Sequence, residues 1–183
     1  MRFFTSHRER RLWISTIVVM IAIYSTMGPV GGLVTELRTR NLLRLTMALI
    51  LILVLGILAW RWLRSRPDWD EVGVVLGITA VYLIAWVRIP IPEERTHLIE
   101  YGLVALLLHQ ILLERQRNGR LVPLPAVTAI LLTALLGLLD ELVQAMLPHR
   151  VYDIRDVGFN ALAGLMAIGA SLAISNLPRH LRR

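Results

Sequence analysis

Cysteine and lysine are both absent from this chain of 183 residues. Without cysteine there is no disulfide, no thiolate nucleophile and no thiolate metal site. Without lysine there is no Schiff-base chemistry, and all 20 basic side chains are arginine. Extended polar stretches are also missing: 56% of the residues are hydrophobic and the mean hydropathy is +0.61. That composition lies far from a soluble domain and points to a polytopic membrane protein. The formal charge of +7 does not indicate nucleic acid. The arginines stand in short clusters between apolar runs, which is a topology signal and not a groove for a phosphate backbone. No internal repeat, low-complexity segment or soluble linker is visible.

Six apolar runs are legible, at about 12–34, 42–60, 72–87, 97–113, 125–147 and 157–177. The expected fold is all-α, a polytopic membrane helix bundle of about six transmembrane helices in one domain over 1–183. The third and fourth runs are short for a full span, so tilt or local thinning is expected there. A basic start before an apolar run also fits a cleaved signal, but no A-x-A site follows, which favours an uncleaved first span. With the N-terminus cytoplasmic, thirteen arginines fall inside, among them Arg8, Arg10, Arg11, Arg115, Arg117 and Arg120, and seven fall outside or near the outer ends. This arginine bias predicts both termini inside, in a bacterial inner membrane.

Under that topology the unusual polar residues gather near the outer ends of three runs. His97, Glu100 and Tyr101 are spaced i, i+3, i+4 and share one helix face. Glu93, Glu94 and Arg95 come just before them. Asp140, Glu141 and Gln144 lie close to the end of the fifth run, which Pro148 closes. His149, Arg150, Asp153, Arg155 and Asp156 follow in a short loop, and Asn160 and Gly164 continue at i+4 steps from Asp156. Charge inside a membrane costs about 2.5–3.5 kcal/mol per group at the centre unless it is paired or wetted. So many such groups at one depth predict a polar pocket open to the outer side.

The pattern DE-x2-Q-x3-P-x-R-x5-D-x3-N-x3-G, filled by Asp140, Glu141, Gln144, Pro148, Arg150, Asp156, Asn160 and Gly164, resembles the VanZ-like membrane protein family. So does ER-x-H-x3-Y, filled by Glu94, Arg95, His97 and Tyr101. The resemblance is concentrated in about 94–169; earlier runs match only in being apolar. It implies a place in the bacterial cell envelope and a link to resistance to the glycopeptide teicoplanin, without specifying a reaction.

Each candidate has a functional and a structural reading. Asp140 and Glu141 could move a proton or hold Mg²⁺, which prefers oxygen ligands, or could be ion-pair partners of Arg95 or Arg150. Adjacent helical residues diverge by about 100°, so only one of the two is expected to point straight into the pocket. His97 carries an imidazole, a side chain suited to acid–base work, or it bonds to Glu100 or Asp140. Tyr101 could orient a ligand or sit in an interfacial belt. Arg150 could grip phosphate or carboxylate with its planar fork. Asn160 beside Gly164 suits helix packing, and His109 suits packing or an interfacial contact.

The expected catalytic set is therefore His97, Asp140 and Glu141. The expected ligand-binding set is Arg95, Tyr101, Gln144, Arg150, Asp156 and Asn160. No metal or cofactor is called for, since no His-rich ligand spacing demands one. Membrane lipids are the expected partners, with an anionic lipid-linked or cell-wall-related ligand. An intramembrane hydrolase or transferase acting on a phosphate-linked lipid is the alternative. A proton-coupled transporter is less favoured, because inverted repeats and broken helices are absent from the pattern.

Overall fold

A computed structural model describes residues 3–27, 69–88, 92–146 and 153–175, with isolated positions between 36 and 64. Among the described residues there are five helices and no strand: α1 (His7–Met27), α2 (Trp69–Arg88), α3 (Pro92–Arg117), α4 (Pro125–Gln144) and α5 (Ile154–Ser175). Three segments are long and apolar enough to cross a membrane: His97–Arg117 in α3, Pro125–Gln144 in α4 and Ile154–Ser175 in α5. These carry the fourth, fifth and sixth apolar runs. The first run falls on α1 as far as Met27, with 28–34 outside the described residues; the third falls on α2, and about half of the run at 42–60 lies outside the described residues. In α1 the first turns hold Arg8, Glu9, Arg10 and Arg11 and so are not hydrocarbon-like.

Helix ends follow local chemistry, and two begin earlier than the apolar pattern alone predicts. α3 starts at Pro92, so positions 93–95 belong to its first turn. A proline lacks the N–H that a first turn cannot use, and its φ is already helical. α5 starts at Ile154 because Asp153 caps it: the Asp153 Oδ1 accepts the Arg155 N–H at 2.9 Å. α4 starts on Pro125 after Leu124, whose φ of 40° lies in the left-handed region. α3 ends on Gly119 at φ 77°. There the Gly119 N–H donates to the Gln116 carbonyl (3.1 Å) and the Arg120 N–H to the Arg115 carbonyl (3.0 Å). Paired bonds of this kind satisfy the last carbonyls of a helix and favour glycine at the left-handed position.

α3 is the hub, packed against α1, α4 and α5, with α3 on α5 the most extensive of the interfaces. Apolar burial gives no net drive between helices in lipid, so association depends on close approach and polar contacts. Small residues supply the approach. A Cβ on Gly102 would meet the Ala167 Cβ at 3.5 Å, and one on Gly164 would meet Thr133 at 3.4 Å and Ala105 at 3.5 Å. Around these contacts, Val104, Ala105, Leu108, Ile111, Ala129 and Ile168 form one core cluster with Ile23 of α1. Leu98, Tyr101 and Ala163 form a second. On α5 the buried small residues are Ala163, Gly164 and Ala167, whereas Ala161, Ala170 and Ser171 are half-buried.

The start of α1 is locked to the end of α3. Ser6 caps α1, its hydroxyl accepting the Glu9 N–H at 3.0 Å. The Glu9 carboxylate accepts the Thr5 N–H and hydroxyl, both at 2.6 Å, the Arg115 Nε–H at 2.6 Å and the Trp13 indole N–H at 3.3 Å. Glu114 receives the Ser6 hydroxyl at 2.8 Å and Arg8 at 3.4 Å. The two arginine clusters, 8–11 and 115–120, are thereby brought to one end of the bundle, and the ends of α4 and the start of α5 lie at the other. This polar lock is absent from the expectations drawn from hydropathy, although Ser6-x-x-Glu9 is a capping-box pattern that could have flagged it.

Burial opposes ionisation of Glu9, but hydrogen bonds from Thr5 and Arg115 and the charge of Arg115 outweigh it, lowering the carboxyl from 4.5 to about 2. A depressed acid stabilises the fold fully above its unfolded value, and that contribution disappears as pH falls through the folded value. The stability difference between wild type and Glu9→Gln should therefore be constant above pH 4.5 and shrink between pH 4.5 and about 2. Thermal unfolding in detergent as a function of pH measures it, with a cost for Glu9→Gln near neutrality of about 1.5–3 kcal/mol.

A second test concerns packing. A Cβ on Gly137 would stand 2.5 Å from the Asn160 Nδ2 and 2.6 Å from its Cβ, whereas one on Gly73 meets nothing within 4 Å. Gly137→Ala should cost about 1–3 kcal/mol through overpacking, and Gly73→Ala should be neutral or stabilising in the same unfolding assay.

Candidate functional site

The end of the bundle opposite the arginines gathers polar side chains from α3, α4 and α5. Tyr101, Asp140, Glu141 and Asn160 have 0% exposure and Gln144 has 4%, while His97, Glu100 and Asp156 are half-buried. Position on the helices explains the meeting. His97, Glu100 and Tyr101 are one face of α3; Gly137, Asp140, Glu141 and Gln144 are one side of α4; Asp156 and Asn160 are one face of α5. Gly137 has no side chain where Asn160 needs room, so Asn160 enters the interface one turn from the α4 acids.

Asp140 and Glu141 are both buried, and they address different neighbours. Asp140 lies within electrostatic range of Tyr24 on α1 and of Glu100 and Tyr101 on α3, and its Oδ2 accepts the Gln144 amide at 3.4 Å. Glu141 turns to the start of α5: its Oε2 accepts the Asp153 N–H at 3.1 Å, and its carboxyl lies within range of Asp156. The divergence of about 100° between neighbours sends them into two sectors of one enclosed region, where the sequence suggested that one would turn away. In a D-x-x-D start such as Asp153–Asp156, the second acid ordinarily reaches back to the capping residue's N–H. Here Glu141 of α4 takes that N–H.

His97 stacks on Tyr101, ring centroids 5.8 Å apart at 26°. The Tyr101 hydroxyl lies against the Asp140 carboxyl, whereas the His97 Nδ1, the Glu141 Oε1, the Asp156 Oδ1 and both side-chain polar atoms of Asn160 are buried and have no hydrogen-bond partner. The bond from His97 Nδ1 to Glu100 or Asp140 is thus not made, and the full burial of Tyr101 excludes an interfacial belt position. Arg95, in the first turn of α3, holds its guanidinium 5.8 Å from the Trp86 ring centroid of α2, a cation–π distance. Arg150 lies outside the described residues, as do Pro148 and His149. Arg155 is exposed. His109, far along α3, is 3% exposed and belongs to the packed interior, with its Nδ1 unpartnered.

Unpartnered buried polar atoms cost about 1–3 kcal/mol each, so a concentration of them in one place is uncommon in a purely structural contact. The set contains acids, a phenol, an imidazole and an amide, which together can exchange protons and hold hydrogen-bonding groups. Among the described residues no three His, Asp or Glu side chains stand in an arrangement suited to a metal ion.

The architecture is that of an all-helical membrane protein whose polar residues are held inside a packed group of apolar helices. The chain belongs to the VanZ/LLP1 family, whose model matches residues 3–175. No curated protein and no solved structure matches the chain.

The cap that starts α5 gives a test of the local build. Asp153→Ala should lower stability by about 0.5–2 kcal/mol, while Asp153→Asn, which keeps the accepting oxygen, should recover most of it. Thermal unfolding of the two variants side by side measures the difference.

Proposed function

We propose that this chain is a VanZ-like integral membrane protein of the bacterial cell envelope, with an outer-facing polar site that binds an anionic lipid-linked or cell-wall-related molecule. The observation that carries the reading is the convergence of unpartnered buried polar atoms from α3, α4 and α5. A ligand's polar groups would complete those hydrogen bonds. Arg95 and Arg150 would meet its phosphate or carboxylate, for which a planar guanidinium is suited. Six spans with cytoplasmic termini in the inner membrane complete the proposal, since the arginine clusters at the opposite end then face the cytoplasm. The teicoplanin resistance implied by the family resemblance would be the cellular readout.

A second reading has its own support. Glu141 and Asp156 are carboxyls within range of one another, and His97 lies on the facing helix. Such a set suits acid–base catalysis on a phosphate-linked lipid, with Asp140 or Glu141 as base and His97 as proton donor.

Native mass spectrometry of the protein extracted from its membrane separates the readings. Wild type should retain a phosphate- or carboxylate-bearing lipid, and Arg150→Ala should lower that retention about tenfold or more, the worth of a charge-assisted contact. Unchanged lipids in wild type, Arg95→Ala and Arg150→Ala would overturn the binding reading. Turnover of the retained lipid that is abolished by Asp140→Asn or His97→Ala, with retention intact, would establish the enzyme.

A further inference from the structure

The enclosed part of the site has a chemical bias of its own. Four carboxyls approach one another there: Glu100 from α3, Asp140 and Glu141 from α4, and Asp156 from α5. Such crowding could be met by internal salt bridges alone. The unpartnered atoms argue otherwise, because they point to something missing from the protein's own complement. The fully buried Glu141 and the half-buried Asp156 face one another with Oε1 and Oδ1 lacking any donor between them, and the fully buried Asn160 leaves both its oxygen and its nitrogen. Tyr101, also fully buried, sets its hydroxyl against the Asp140 carboxyl. Three of these are acceptors only, one is a donor only, and the phenol can serve as either.

Phosphate or carboxylate fails in this region. It brings acceptors where acceptors are already in excess, and it adds negative charge beside carboxylates in a medium that screens poorly. A quaternary ammonium supplies charge without N–H donors, and it is ordinarily read by an aromatic cage, not by carboxylates and an amide. A primary ammonium supplies both: one positive charge and three N–H donors spread tetrahedrally.

Resting on the binding reading above, we propose that the enclosed end of the site takes a primary ammonium group of the same ligand whose phosphate or carboxylate meets the arginines. Glu141 Oε1, Asp156 Oδ1 and the Asn160 oxygen accept its three N–H bonds, and Tyr101 closes the side towards α3. The Asn160 nitrogen is left to donate to a ligand oxygen near the ammonium. Two sources share this chemistry: the headgroup of an aminophospholipid, and a free zwitterionic amine.

Reconstitution in nanodiscs tests it. Discs of phosphatidylglycerol mixed equally with phosphatidylethanolamine, or with phosphatidylcholine, are compared by native mass spectrometry after the bulk lipid is stripped. Wild type should retain phosphatidylethanolamine over both of the others by about tenfold or more, as expected for charge-assisted hydrogen bonds. Glu141→Gln, and separately Asp156→Asn, should bring it down to the phosphatidylglycerol level. The half-buried Asp156 keeps the test open if Glu141→Gln does not fold. Phosphoethanolamine added to discs of phosphatidylglycerol alone should raise the unfolding temperature of wild type but not of Asp156→Asn if the source is a free amine, which supports the same chemistry.

Equal retention of phosphatidylethanolamine and phosphatidylglycerol, with no effect of phosphoethanolamine, would overturn the ammonium assignment and leave the anionic binding reading standing. Retention of phosphatidylcholine equal to phosphatidylethanolamine would overturn the N–H part of it. Release of every lipid together with the bulk, with no response to phosphoethanolamine, would overturn both.

Discussion

The close approach of α3, α4 and α5 is the constraint on which the rest depends. A polar side chain can be excluded from lipid only if the surrounding helices touch, and they touch here through Gly102 against Ala167, Gly164 against Thr133 and Ala105, and Gly137 against Asn160. Larger residues at those positions would separate the helices and expose Asp140, Glu141 and Asn160 to hydrocarbon, where each unmet group is expensive. Small residues at the interface and acids inside it are one design viewed from two sides. The outer surfaces of the same helices keep Leu131, Leu135, Leu165 and Leu172 exposed, which suits contact with lipid tails.

The two ends of the bundle treat charge differently. At the arginine-rich end, Glu9 is also fully buried, but four donors from Thr5, Arg115 and Trp13 saturate it. That carboxylate is a structural rivet with nothing left to offer. At the other end the carboxyls are only partly satisfied: Glu141 uses one oxygen on the Asp153 N–H and leaves the other bare. Burial alone therefore does not distinguish the saturated Glu9 from the partly satisfied Glu141 in this chain; the remaining hydrogen-bonding capacity does.

Much of the helical framework was legible because hydropathy alone marks segments that lipid must accept. The fourth, fifth and sixth runs correspond to α3, α4 and α5, and the one-face spacing of His97, Glu100 and Tyr101 follows from 3.6 residues per turn. Helix starts were less legible, since Pro92 and Asp153 act through backbone geometry and capping, to which hydropathy is blind. The lock of Glu9 and Glu114 was missed for a related reason: charges near a run end read as topology signals, and only the fold brings residue 9 to residue 115. The partition of Asp140 and Glu141 between two sets of neighbours was also hidden, because it requires α1, α3 and α5 to be placed around α4. Arg150 lies outside the described residues, so its place rests on the motif alone.

Glu141 holds the start of α5 from the end of α4, standing in for an acid that a helix ordinarily supplies to itself. Its two oxygens thus have separate employers, one architectural and one free. An aspartate at this position, one methylene shorter, would have to choose between them. Any group that drew the whole carboxylate inward would also withdraw the anchor from the neighbouring helix, so occupancy of the interior and the setting of the α4–α5 connection are mechanically tied through one side chain.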